Sequence, residues 1–283
     1  MNKNYILTMT VAAVIGLQAC GGGDKEEIQD KDTVTAQPVD TTMLEEEFLA
    51  VLPSPVAVAE IFANAGIDYK SDLPNSLANL SRYSTSSKKA LNFGVYTSDL
   101  AFCIVSDKNK EASAYLKGIR TLGNEIGLTQ IFDNESLLVR FDNNLTNQDS
   151  LTDLMVEIKS RIDDYHEQNG ESEKNFIYFS GAWIEGMYLG AVSSDKNEKA
   201  GKAMSAQFYM LEDILKGLKR VQKESSDYDE LITKLEDLKN TYKGLESVKA
   251  AQPEAMYDVM LKADEVKTLA GKIIEIRSEI IKV

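Results

Sequence analysis

Asp99 and Glu185 are carboxylates set in two of the most apolar stretches of the chain, Phe93-Gly94-Val95-Tyr96-Thr97-Ser98-Asp99-Leu100-Ala101-Phe102 and Ser180-Gly181-Ala182-Trp183-Ile184-Glu185-Gly186-Met187-Tyr188-Leu189. An acid in apolar surroundings either finds a partner or shifts its proton affinity, so such a pair is a candidate for acid–base chemistry or for holding a cation. Tyr96, Trp183 and Tyr188 accompany them. Aromatic faces beside one or two carboxylates suit a cationic or sugar-like small molecule. Tyr96, Asp99, Trp183, Glu185 and Tyr188 are therefore where a ligand pocket between the two segments would be built. The pattern also has a purely structural explanation, and it is the stronger one. Gly181, Gly186 and Gly190 let helices approach closely, and buried Tyr and Trp rings send their polar atoms to a partner. No nucleophile or metal-ligand set stands beside the two acids, so catalysis is not expected and no cofactor is implied.

The other reactive residue types are few. The chain holds two cysteines and one histidine. Cys103 lies in Leu100-Ala101-Phe102-Cys103-Ile104-Val105 and reads as a small buried hydrophobe. His166, in Asp163-Asp164-Tyr165-His166-Glu167-Gln168, reads as a solvated surface histidine near a helix end. One histidine excludes a multi-histidine zinc site and leaves little scope for a Ser-His-Asp triad. No Walker loop, GxSxG elbow, HExxH or CxxC occurs, which argues against the commonest enzyme classes. The formal charge is −14, and no basic patch with interleaved aromatics is present. Phosphate backbones would repel such a chain, so nucleic acid is excluded as a partner.

The second cysteine, Cys20, belongs to a different chemistry. Lys3 opens a short polar region, an apolar run of about 12 residues extends from Tyr5 to Gly16, and Leu17-Gln18-Ala19-Cys20 closes it. A helix needs about 20 apolar residues to cross a bilayer, so residues 1–19 read as a signal peptide instead of a span. Leu17, the small Ala19 and Cys20 resemble the lipobox of bacterial lipoproteins, with Gln18 bulkier than the family's usual choice. The resemblance implies cleavage before Cys20, lipidation of its thiol and an anchor in the outer membrane, periplasm-facing or at the cell surface. Several acyl chains on one terminus satisfy the two-signal requirement for stable anchoring. Removal of the leader takes away Lys3 and moves the charge from −14 to −15. Residues 20–40 are polar and without period, a disordered acidic tether. Within them, Lys25-Glu26-Glu27 is similar to the acidic signal that sends lipoproteins of Bacteroidota to the cell surface. With the lipobox, the tether, Leu52-Pro53-Ser54-Pro55 and the apolar Asn92-Phe93-Gly94-Val95-Tyr96, the whole plan resembles helical lipoproteins of Bacteroidota. That likeness implies location and brings no activity.

The elements that must position these residues are helical. Residues 41–283 read as one all-α domain, a multi-helical antiparallel array with long C-terminal helices. Met43, Leu44, Phe48 and Val51 mark a first short helix. Ser54-Pro55 caps a second that ends at Gly66. Ser84 to about Asp107 forms an apolar helix, and Lys110 to Gly127 an amphipathic one, joined as a hairpin by Asp107-Lys108-Asn109. Leu137, Leu138 and Phe141 mark a short helix, Leu151 to Tyr165 a longer one ending near Gly170, and Phe176 to Ser194 the most apolar of all. In the last third, Ser226 with Asp229 caps a middle helix, and Gln252-Pro253 starts a final helix to Ile281 of about 42 Å. The run from Phe93 to Phe102 can be laid over that from Ser180 to Leu189, and a single inserted residue then brings Asp107-Lys108-Asn109 over Asp195-Lys196-Asn197. That is the trace of a duplicated helical hairpin.

Overall fold

The computed structural model describes residues 52–132, 135–193 and 198–283, which belong to one compact unit beginning at Leu49. The signal peptide, Cys20, the tether and the helix expected at Met43 to Val51 lie outside the described residues. Among those described, all regular structure is helical, in twelve α-helices and three short 3₁₀ segments.

Local signals set most of these elements. Helix α1 (Pro55–Asn64) starts on Ser54, whose Oγ accepts from the Ala57 amide at 3.3 Å, with Pro55 in the first turn. Thr85 caps α2 (Ser86–Val105) by accepting from Lys88 N, so the helix starts two residues later than expected. α3 (Asn109–Glu125) returns along α2 as the predicted hairpin. After α4 (Thr129–Phe132) and α5 (Glu135–Asn143), α6 (Gln148–Asn169) begins on the Asn147 side chain and ends at Gly170, whose φ of 68° lies in the left-handed region that glycine reaches without strain. α7 (Lys174–Ser193) is the second apolar helix.

The last third keeps the expected C-terminal helices and departs from expectation at the final one. It divides into α8 (Glu198–Ser205), α9 (Met210–Gln222), α10 (Asp229–Gly244), α11 (Glu246–Ala250) and α12 (Ala263–Ile280). Ser225, not Ser226, caps the chain ahead of α10, through a 3₁₀ turn at Ser226–Tyr228. The expected 42 Å helix from Gln252-Pro253 is corrected to a 3₁₀ turn at Pro253–Ala255, an irregular passage, and an α12 of 18 residues, about 27 Å. Tertiary bonds hold that passage open. Val259 N donates to Ser205 Oγ (3.4 Å), the Ser205 and Tyr242 hydroxyls pair at 2.7 Å, and the Tyr242 hydroxyl donates to Met256 O. Glu265 then starts α12 by accepting from Lys262 N and Ser247 N, both at 2.9 Å.

At the centre α2 crosses α7, with α1, α3, α6 and α12 packed around them and α9 and α10 beyond. The crossing is reciprocal. A Cβ on Gly94 would sit 1.9 Å from the Tyr178 carbonyl oxygen, and one on Gly181 would sit 2.0 Å from that of Leu91. Leu91 precedes Gly94 by the same interval as Tyr178 precedes Gly181. The two segments that align in sequence thus meet each other symmetrically, backbone on backbone. Their return arms have diverged, because α3 has 17 residues and α8 only 8.

Candidate functional site

A helix brings residues three or four apart onto one face, and residues two apart onto different faces. Lys88, Asn92, Tyr96 and Asp99 therefore form one polar stripe along α2, and Glu185 and Tyr188 share a face of α7 that Trp183 does not. On α12, Arg277 continues the buried stripe of Leu269 and Ile273. These three faces converge.

Glu185 and Asp99 are both 0 % exposed, and Arg277 8 %. The guanidinium grips Glu185 through two bonds, Nε to Oε2 and Nη2 to Oε1, each 2.8 Å. It also donates to the Leu73 carbonyl at 3.0 Å and lies 4.0 Å over the Tyr188 ring. Such a planar two-bond contact is what arginine supplies and lysine cannot. Burial drives the proton affinity of Asp99 well above the usual carboxylate range, and the negative charge of Glu185 beside it adds to the shift. Burial raises that of Glu185 too, against the opposing pull of Arg277. Asp99 Oδ1 has no hydrogen-bond partner. The direction of the shift favours the protonated form of Asp99 beside the Glu185–Arg277 pair. In that form, with Glu185 negative and Arg277 positive, the cluster carries no net charge, which lets three ionisable groups share one apolar interior.

A strap at residues 73–76 covers the cluster, and its polar groups are met by side chains. Asp99 Oδ2 accepts from Asn75 N (3.1 Å), Tyr115 donates to Asn75 O (3.0 Å) and Tyr96 to Ser76 O (2.8 Å). The Asn75 amide donates to Tyr83 (2.8 Å) and to Asn92 Oδ1 (3.2 Å), and accepts from Asn79 (3.0 Å). Asn92 in turn donates to Ile280 O at 2.9 Å, and Lys88 to Glu279 O. The last carbonyls of α12, which the helix itself leaves without donors, are thus met by α2.

Of the five residues singled out from sequence, Asp99, Glu185, Tyr96 and Tyr188 come together. Trp183 does not: its indole donates to Gln207 O (3.3 Å) and its ring meets Phe208 edge-on at 5.9 Å. The place assigned to a cationic ligand holds a cation of the chain's own, Arg277, with the carboxylate and aromatic partners a ligand would have used. Sequence reading missed Arg277, Asn75, Asn92, Tyr83 and Tyr115. The four-residue spacing Leu269, Ile273, Arg277 was a usable signal for the first of them.

His166 requires a correction. It is buried, at 2 % exposure, because it continues the α6 stripe of Leu154, Ile158 and Ile162 at four-residue intervals. Its ring packs 5.6 Å from that of Tyr178, and neither ring nitrogen has a hydrogen-bond partner, the Glu171 carboxylate standing 3.6 Å from Nδ1. Burial lowers its proton affinity, with Lys174 acting in the same direction. Cys103 is buried as expected, and burial pushes its thiol up to about 12. A thiol so weakly acidic is a poor nucleophile.

No protein-family model, curated protein or solved structure matches this chain. No helix among the described residues is long and apolar enough to cross a membrane.

Proposed function

We propose that this chain is a lipoprotein of the outer membrane, lipidated on Cys20, whose helical domain acts without catalysis as a binding or scaffolding protein of the cell envelope. The non-catalytic part of this reading rests on one observation. The two carboxylates that a catalytic role would need are already engaged, Glu185 by Arg277 and Asp99 by the Asn75 amide. Both are sealed from solvent, so neither is positioned to exchange a proton with a substrate. Leu17-Gln18-Ala19-Cys20 supports the anchor, and its partners on this reading are the membrane and an envelope protein.

The test grows cells with an alkyne-tagged fatty acid. The wild-type chain should carry the tag and sediment with outer membranes, whereas Cys20→Ala should lose both properties. Crosslinking from native membranes should then capture an envelope protein that the Cys20→Ala chain does not. An untagged wild-type chain sinks the anchor, and equal capture by both forms sinks the tethered role.

A further inference from the structure

The turn from α6 to α7 sets a carboxylate beside the buried His166 ring without bonding the two. Backbone bonds fix Glu171 there: Glu171 N donates to His166 O at 2.8 Å, and Lys174 N donates to Glu171 O at 2.9 Å. The Glu171 carboxylate divides its oxygens. Oε1 accepts from Lys174 Nζ at 2.6 Å, while Oε2 stands 3.6 Å from His166 Nδ1, and neither ring nitrogen has a hydrogen-bond partner. The rings of Tyr165 and Tyr178 flank the imidazole, with centroids 5.4 and 5.6 Å from its own. The ionisable groups facing the ring are thus Asp163 and Tyr165 on α6, Glu171 in the turn, and Lys174 and Tyr178 on α7, with Tyr228 behind Tyr178.

We propose that this turn is an acid-operated clamp: on protonation of His166, Nδ1–H donates to Glu171 Oε2, and the carboxylate then bridges His166 on α6 to Lys174 on α7. A charge-assisted N–H···O bond runs at about 2.8 Å, so the carboxylate has roughly 0.8 Å to travel. It is free to do so, because the Glu171 and Lys174 side chains are 41 % and 43 % exposed. The incoming proton meets parts that hold a cation: a carboxylate at one edge of the ring, aromatic rings within cation–π reach, and the carbonyl end of α6. A carboxylate and a tyrosine ring, Glu185 and Tyr188, likewise hold Arg277. Arginine keeps its charge at every pH, whereas histidine takes it up only as the pH falls. Glu171 raises the proton affinity of His166, and Lys174 and burial lower it, so the turn itself sets the threshold of the clamp. Burial and Lys174 prevail, which puts closure below the ordinary histidine value of 6.5. The clamp stands independently of the anchor on Cys20.

The chain has one histidine, so ¹⁵N-histidine labelling of the full chain in detergent micelles gives a single imidazole to follow. Lowering the pH should titrate its nitrogens with a midpoint below 6.5 while the near-ultraviolet circular dichroism of the folded protein persists. A slowly exchanging Nδ1–H proton signal should appear as the ring is protonated. Glu171→Gln should lower the midpoint by about one pH unit and remove that signal, because the opposite charge is gone. Lys174→Met should move the midpoint the other way and keep the signal, because a like charge is gone. Both side chains are half-exposed, so neither substitution opens the core. A midpoint that Glu171→Gln leaves in place overturns the proposal, as does an Nδ1–H signal that survives in that variant, or an imidazole that titrates only as the fold is lost.

Discussion

The cluster around Arg277 and the packing around His166 both bury ionisable groups in one helical domain, and they handle them by different means. Around Arg277 the charges cancel one another, and strap and helices meet the remaining polar atoms. Around His166 neither ring nitrogen has a hydrogen-bond partner, and burial, with Lys174 acting in the same direction, outweighs the pull of Glu171 and favours the neutral imidazole. The first arrangement makes removal of one partner costly, because the other is left as an uncompensated charge. The second makes a change of pH costly, because the group must take up a proton in a place that burial makes unfavourable for charge.

The largest effect expected on this comparison comes from Glu185→Gln. Arginine cannot shed its proton, so a buried Arg277 without its carboxylate should lower stability by about 3–5 kcal/mol in urea denaturation. Arg277→Leu should lose less, because Glu185, already raised in proton affinity, can take up a proton and become neutral. Equal losses would break the argument. Gly94→Ala and Gly181→Ala should each lower stability by about 3 kcal/mol or prevent folding, since the new methyl meets a backbone carbonyl that cannot turn aside.

Next in size is the response to pH. His166 has a folded-state proton affinity below its ordinary value of 6.5, with Glu171, Lys174 and Asp163 the charged groups around it. The stability that its neutral form allows is whole above pH 6.5 and is lost as pH falls below it through the folded value. His166→Leu should flatten that acid-side decline in a melting-temperature profile. Asp99 runs the other way. Its affinity is raised above 3.8, so the stability of the protonated form is whole below pH 3.8 and is lost as pH climbs through the folded value. Asp99→Asn should remove that slope. At neutral pH it should change stability by less than about 1 kcal/mol, because an amide reproduces the shape and neutrality of the protonated acid. A loss as large as that of Glu185→Gln would mean that Asp99 is ionised in the folded protein.

Helix ends were legible where local chemistry sets them. Ser54-Pro55, Gly170 and Asp107-Lys108-Asn109 each mark a boundary through their own backbone preferences. From Gln252 to Lys262 they were not, since the chain there is bent by bonds to distant residues. Tyr242 holds Met256 and, through Ser205, Val259, while its ring stacks 4.0 Å from Phe208. Nothing near Gln252-Pro253 announces those partners. The candidate site divides the same way. Asp99, Glu185 and Tyr96 drew attention as polar groups on apolar helices. Arg277 lay on a helix rich in charge, and Asn75 in a loop, where a single polar residue has no contrast against its neighbours. His166 was misplaced because its immediate neighbours are charged, although its four-residue spacing from Ile162 and Ile158 pointed inward.

The amino-acid sequence by itself determined the all-α class, most helices as far as Ser193, and the pairing of two related apolar helices, because periodicity, caps and turn residues act over a few positions. Only the tertiary structure decided that an arginine far along the chain would fill the place read as a ligand's, and that the final helix would start at Ala263. Both depend on which faces meet when helices pack, and that is settled by complementarity between remote surfaces that no local spacing encodes.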